Sequence, residues 1–490
     1  MPRPAVCRVT AKRSPRSDRL VSAIDPFRQR SSAIRRGKPP GPDLIVLLVA
    51  AALLAAAAII ALTANRPVVG CAVLAVGIPL TTRLGRGTLI PLLRPNEAIL
   101  LLVLVGLTLH YLLARQTFPY IGLDLAIGTF AVGSSLVPWL VLLFGRADID
   151  FDTWRAVLGP LQFLAVYLCF AQLRASDQQL KWLLNVTLLV SVILAAIAIL
   201  QSLDFPASFR ALVDATFSSD KPNPTPYRPT SLLGNYGAVG AFAAISFILA
   251  LTLASRNDTR LNSGWLSAVM SLNLIALVAS LTWAPAIGVA MGTATVVWYS
   301  RRVPREIWIG AACILVTVII LWPLVSARIE GQLTTSVGSI QNVDTRLRNW
   351  QLYFLPVLSE HVWFGTGTLL PTELPPTLGN FVDNEYLRIG FRAGLAGLGL
   401  LIIMLWAVGT SAWRCRESVD PWRRRLGAVS LATVVSIVLV GFTAEYLSFG
   451  GLSQYIAMLF GLLAARMRYP VAAAMPSRVG ARAPAPLVAS

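Results

Sequence analysis

The stretch Val382-Asp383-Asn384-Glu385-Tyr386-Leu387-Arg388-Ile389-Gly390-Phe391-Arg392-Ala393-Gly394-Leu395-Ala396-Gly397 decides how this chain is read. Its first eleven residues hold two acids, two arginines and an asparagine; beyond Ala393 the charges stop and an apolar run continues to about residue 412. A helix that starts among polar groups and then runs through roughly twenty uncharged residues has the length of a bilayer crossing. The stretch closes a longer polar interruption, from about Arg328 to Arg392, with apolar sequence on both sides.

Working outward, apolar stretches fall at about 44–64, 67–82, 97–113, 121–144, 155–173, 180–201, 231–254, 264–282, 285–299, 306–326, 393–412, 426–447 and 450–465. Only 13% of the residues are charged and 56% are hydrophobic. A soluble domain carries roughly 25% charged residues, so the surplus apolar surface must face lipid. The expected fold class is all-α, a polytopic integral membrane helical bundle of about twelve transmembrane helices. A large outer loop separates its ninth and tenth spans.

The +19 net charge is placed as the positive-inside rule places it. Residues 1–43 hold eleven Lys/Arg against three Asp, and Arg301/Arg302/Arg305, Arg414/Arg416/Arg423/Arg424/Arg425 and Arg466/Arg468 lie in short links or after the last span. Putting these groups in the cytoplasm sends loops 202–230 and 327–392, and the acidic link Asp148-Ile149-Asp150-Phe151-Asp152, to the other face. The loop holding Arg83, Arg86 and Arg94 is then expected inside. That leaves one crossing too many, and the short 67–82 run, with Pro67, Gly70, Gly77 and Pro79, is read as partly interfacial. Both termini are expected in the cytoplasm.

The expected divisions are 1–43, a disordered basic tail rather than a signal peptide; 44–326, membrane helices; 327–392, the extracytoplasmic loop; 393–465, membrane helices; and 466–490, a second tail. No nucleic-acid-binding fold accompanies the charge. The five cysteines are scattered and the chain has two histidines, so neither a disulfide framework nor a metal site is expected, and no cofactor is called for.

Candidate functional residues gather in the outer loops. Arg228, after the extended Pro222-Asn223-Pro224-Thr225-Pro226, breaks the positive-inside bias. It reads either as a cation for an anionic ligand or as an interfacial anchor. Arg346 and Arg348 lie in Asp344-Thr345-Arg346-Leu347-Arg348-Asn349-Trp350, a surface helix expected to break at Pro356. His361 reads as a general base or as a structural interfacial histidine.

Glu385, Arg388 and Arg392, at i, i+3 and i+7, share a helix face with Asp383 just ahead. Cations beside a carboxylate suit a diphosphate donor and a base for an acceptor hydroxyl. The competing reading is a helix start capped by Asp383 or Asn384, with Glu385 and Arg388 as a surface pair. Glycines 394, 397 and 399 are expected to let helices approach closely. Glu445, in an apolar run, is expected to face the interior and orient an arginine. Asp124 and His110 read as satisfied groups between helices.

Taken in order, these residues resemble the O-antigen ligase and O-antigen polymerase family. Asp383-Asn384, nine residues, then Gly394-x-x-Gly397 is similar to its signature of His, Asn/Ser/Gln, nine residues, Gly, two residues, Gly/Thr/Tyr. Arg346…Trp350 and Glu360-His361-Val362-Trp363-Phe364-Gly365-Thr366-Gly367 resemble its Arg, Trp and "hP-x-x-G-x-G" run. Arg228-Pro229-Thr230-Ser231-Leu232-Leu233-Gly234-Asn235 resembles its "R-x-x-G-x-x-x-N" stretch. The likeness covers about residues 225–410. In two places the chain departs from it. Asp383 stands where the family has histidine, and Thr282-Trp283-Ala284 stands where it often has Ser-Arg-Gly.

The resemblance implies a metal-independent glycosyltransferase in the bacterial plasma membrane, working at its extracytoplasmic side. The donor would be an undecaprenyl-diphosphate-linked glycan, and the acceptor a hydroxyl on a lipid, glycan or wall polymer. Arg228, Arg346, Arg388 and Arg392 would bind the diphosphate, and Asp383, with His361 in reserve, would act on the acceptor. Asn384, Glu385 and Glu445 would support them. Expected partners are donor, acceptor, bilayer and polysaccharide assembly proteins, and no nucleic acid. Two alternatives stay open: a transporter or flippase, which would place charge at the membrane midplane, and a non-catalytic component of a polysaccharide export system.

Overall fold

The computed structural model describes residues 42–84, 93–115, 117–145, 151–217, 227–255, 262–301, 306–333, 346–367 and 382–469. The basic tail before residue 42, the tail after 469, Arg86, the 148–150 acids and the Pro222–Pro226 segment lie outside them. The chain divides into two units, 1–58 and 59–490. All described regular structure is helical.

The helices are α1 (Pro42–Asn65, before Ile59 part of the first unit), α2 (Pro67–Thr81), α3 (Pro95–Leu113), α4 (Gly122–Phe144), α5 (Phe151–Ala171), α6 (Asp177–Leu203) and α7 (Phe209–Phe217). Then come α8 (Tyr236–Ala254), α9 (Ser263–Ala279), α10 (Trp283–Ser300), α11 (Glu306–Ile320), α12 (Trp322–Leu333), α13 (Leu355–Glu360), α14 (Glu385–Arg414), α15 (Pro421–Val440) and α16 (Leu452–Arg468). Local sequence sets their starts. Ser176 and Gln179 form a reciprocal capping box on α6, Asn235 accepts from Gly237 and Ala238 N–H, and Asp420 caps α15 ahead of Pro421.

Among the described residues five helices are long and apolar enough to cross a membrane: α3, α4, α6, α8 and α14 with its extension to Glu417. Several others are apolar but run only 10–17 residues, at most about 26 Å at 1.5 Å per residue. Among the long helices α8 is the most enclosed, buried on every face from Ala238 to Leu253. Helices α4 and α14 instead leave Leu125, Leu143, Ile402 and Trp406 exposed, as lipid-facing helices do.

In the second unit the connections collect at two ends. At one, Thr82 lies beside Gly450, Arg83 Nε donates to Leu233 O at 3.1 Å, Gly237 faces Phe449, and Thr282 touches Gly240. At the other, His110 meets Ala64 O at 2.7 Å, Tyr111 donates to Gln172 O, and Arg466 and Arg468 pair with Asp177, Asp420 and Asp124. Helices α2 to α6 and α8 to α10 each run from one end to the other, as do α14, α15 and α16.

One expectation changes here. Helix α2 is packed into the bundle: Val68, Cys71, Leu74, Ala75 and Ile78 are buried, and Gly77 packs on Ile99 of α3. Its glycines allow that approach. In consequence Arg83 sits at the same end as Arg228, not the opposite one. The positive-inside bias puts Arg83 opposite Arg228, whereas its bond to Leu233 O brings it to the same end.

Candidate functional site

The site is built on the start of α14 and on the link between α15 and α16. Asn384 caps α14, its Oδ1 accepting from Leu387 N–H at 3.0 Å, while its Nδ2 donates to Phe442 O at 3.2 Å. Glu385 is buried and does not pair with Arg388 on the surface: its carboxylate accepts from Leu447 N–H at 2.9 Å, and its own N–H donates to Gly441 O at 2.8 Å. The first turn of α14 is thus tied by main chain and side chain to residues 441–447.

This leaves Arg388 for Glu445, with which it forms an ion pair. Glu445 is 1% exposed, and the rest of its carboxylate is filled. Oε1 accepts from the N–H groups of Val382 and Asp383 at 2.9 and 3.0 Å, and Oε2 from Ser448 Oγ at 3.1 Å. A buried carboxylate is tolerable only with such partners. It fixes both the Arg388 guanidinium and the backbone that carries Asp383. Ser448 escaped the sequence reading because a hydroxyl three residues from an acid carries no distinctive signal.

Asp383 takes a left-handed backbone conformation, φ 52°, and its side chain is 47% exposed. The conformation is tolerated for Asp more readily than for most residues. Its carboxylate lies 3.3 Å from Arg346, which also donates to Thr443 O at 3.0 Å. Arg346 reaches this position through a small core of its own. Phe354, Val382 and Phe391 are buried together, Phe354 edge-on to Phe391, and Trp350 Nε1 donates to Val382 O at 3.1 Å. The expected break at Pro356 is absent. Residues 350–354 form a wide π-turn in which Leu355 N–H reaches Trp350 O, and Pro356 follows in the first turn of α13, where its missing N–H costs nothing.

Gly394 has a different role from the one expected. Gly394 interrupts α14 with φ 63°, ψ −157°, and a Cβ there would lie 2.3 Å from the Trp363 carbonyl carbon. The close partner is the backbone of loop 361–367, not another helix. Leu395 and Ala396 N–H donate to Val362 and Trp363 O at 2.8 and 3.1 Å, and Thr366 N–H to Phe391 O at 2.7 Å. The kink frees these groups from the helix, and the loop satisfies them. Gly365 (φ 69°) and Gly367 (φ 76°) are the loop's own left-handed positions, against Gly390–Phe391 and Pro138.

The remaining candidates separate. His361 is exposed at the head of that docked loop, beside Val362, whose carbonyl meets Leu395 N–H, well along α14 from Asp383. Arg392 donates to Ala156 O. That carbonyl would pair with residue 160 in an unbroken helix, but Pro160 has no N–H to give. Arg228 is buried with its guanidinium 4.5 Å over the Tyr236 ring. Beside it Tyr227 donates to Asp214 at 3.0 Å, and burial followed by that carboxylate pushes its phenol up from the ordinary range. Among the described residues no group of three or more His, Cys, Asp or Glu is placed to hold a metal ion.

Residues 265–402 match the family model for O-antigen ligase. That match supports an O-antigen ligase assignment for this part of the chain. It runs from α9 through the kink of α14 and takes in Arg346, His361, Asp383, Asn384, Glu385, Arg388 and Arg392. Arg228 and Glu445 fall outside it, although Glu445 is the residue that meets Arg388. Among curated proteins, none matches this chain. The O-antigen ligase assignment supports a membrane role in joining glycans.

Asp124 and His110 behave as satisfied groups far from this site. Tyr167 donates to Asp124 at 2.6 Å, and Asp124 also pairs with Arg468; His110 Nδ1 meets Ala64 O.

Proposed function

We propose that this protein transfers a glycan from an undecaprenyl-diphosphate carrier to a hydroxyl on a lipid, glycan or wall polymer. The reaction would take place at the outer face of the bacterial plasma membrane. Twelve of the helices, α2–α6, α8–α11 and α14–α16, would cross, with Arg466 and Arg468 on the cytoplasmic side and Asp383 on the outer side. The observation that carries the reading is the pairing of a half-exposed carboxylate, Asp383, with Arg346, one residue from a cap whose helix presents Arg388 on the buried Glu445.

In the proposed step the acceptor oxygen attacks the anomeric carbon, the bond from that carbon to the diphosphate oxygen breaks, and lipid diphosphate leaves with the electron pair. Asp383 takes the acceptor proton. Arg346 releases Asp383 to face the diphosphate, and Arg388, held by Glu445, neutralises the charge growing on the leaving group. Arg228, above Tyr236, is a further cation at this end. Arg392, occupied at Ala156, and the distant His361 support the fold of the site. The charged groups gather at helix ends rather than at mid-helix, which favours a transferase over a flippase.

The test is transfer in proteoliposomes from polyprenyl-diphosphate glycan, with EDTA present throughout. Arg388→Ala should lower transfer by about 10²-fold or more, the loss typical of removing one charge-stabilising donor. Transfer that EDTA abolishes in the wild type, or that Arg388→Ala leaves intact, would refute this assignment.

A further inference from the structure

At the end opposite Asp383, helices α2, α3 and α6 enclose a cavity of about 510 Å³. Its lining is cationic and amphipathic: Arg66, Arg174, His110, Tyr111, Gln179 and Trp182, with no acidic residue among the described lining. The two arginines come from separate links, one between α1 and α2 and the other between α5 and α6, so they face the space from different elements. Arg174 is held 4.7 Å over the Tyr469 ring. His110 has its Nδ1 on Ala64 O at 2.7 Å. A carbonyl only accepts, so Nδ1 carries the hydrogen and Nε2 is left for another partner.

The nearby charges do not neutralise this site. Asp177 pairs with Arg466, and Asp124 with Arg468 and Tyr167. The mouth lies at the level where an apolar surface ends: Leu112, Leu113 and Trp182 are exposed around it. A tryptophan at that level, beside guanidinium groups, is the arrangement found at a lipid headgroup boundary.

We propose that this cavity binds the phosphate of an anionic phospholipid headgroup, with Arg66 and Arg174 on the phosphate oxygens and Trp182 against the start of the acyl chains. Guanidinium matches phosphate geometry, and a cation near an anionic leaflet contributes enough for two arginines to select charged over neutral lipid. The site is separate from the glycan-transfer site and does not depend on it.

Native mass spectrometry of the full chain in a neutral detergent, titrated with phosphatidylglycerol or phosphatidylcholine, tests this. Phosphatidylglycerol should bind in preference, and Arg66→Gln with Arg174→Gln together should weaken it roughly thirtyfold, each alone about fivefold. Gln179→Arg, which adds a cation and gives up one exposed capping bond from Ser176 N–H, should tighten it. Arg388→Ala should leave it unchanged. Equal binding of both lipids, or undiminished binding by the folded double variant, overturns the proposal. Displacement by low-millimolar inorganic phosphate would overturn the lipid assignment in favour of free phosphate.

Discussion

Both ends of the helical unit contain arginines paired with carboxylates, and they use them differently. At the Arg466 end the Arg468–Asp124 pair is sealed. Arg468 and Asp124 have side chains 2% and 4% exposed, Tyr167 adds a hydrogen bond to Asp124, and Arg466 joins α16 to Asp177 and Asp420. At the Asp383 end the network is graded. Glu445 is sealed at 1%, Arg388 is 17% exposed, and Asp383 reaches 47%. One end spends its charge on joining helices; the other steps from a buried anchor to an accessible carboxylate. An ion pair in a membrane protein is therefore no sign of function by itself. What separates the two is the partner of the accessible carboxylate: Asp177 tethers the buried Arg466, whereas Asp383 meets Arg346, itself 27% exposed.

Breaking the sealed end should cost the most stability. Arg468→Ala leaves Asp124 buried without its cation and should destabilise by about 3–5 kcal/mol. The expected outcome is loss of the monodisperse peak in fluorescence-detected size-exclusion after mild heating.

Next is the kink that shapes the graded end. Gly394→Ala forces a side chain into a left-handed position and into the Trp363 backbone. Strain and overpacking together should cost about 3 kcal/mol. New protease cleavage within 361–367 would report the undocked loop.

Arg392→Leu should cost less, about 1–2 kcal/mol, for the Ala156 carbonyl it strands above Pro160. A detergent melting curve reads that shift, and Pro160→Ala, which restores the missing N–H, should offset part of it. The smallest change in stability is expected for Asp383→Asn, within about 1 kcal/mol, because its pair with Arg346 is half in solvent.

Much of this contrast was legible in the sequence, for stated reasons. Glu445 announced itself as a carboxylate in an apolar run, and a charge there must find a partner. Asp383-Asn384 ahead of an apolar helix carried the start of α14 and its cap. Other features were not legible. Glu385 and Arg388 stand at the spacing of a surface pair, and only residues 441–447 packing over the helix start send each to a different partner. The glycines at 394, 397 and 399 read as a helix–helix contact, since sequence spacing does not distinguish a neighbouring helix from a docked loop. Arg392 matched the pattern of a ligand-binding cation; its partner is a carbonyl 236 residues away, exposed by a proline in another helix. Arg83 fitted a cytoplasmic basic loop by charge bias alone, and only its bond to Leu233 O, 150 residues on, brings it to the Arg228 end.

The most direct test sets the two ends against each other in one assay: glycan transfer per folded molecule for Asp383→Asn and Asp124→Asn. The account predicts that Asp383→Asn folds like the wild type and transfers almost nothing. Asp124→Asn should yield little folded protein, with each folded molecule transferring at the wild-type rate. Wild-type transfer by folded Asp383→Asn would contradict the account, as would abolished transfer by folded Asp124→Asn.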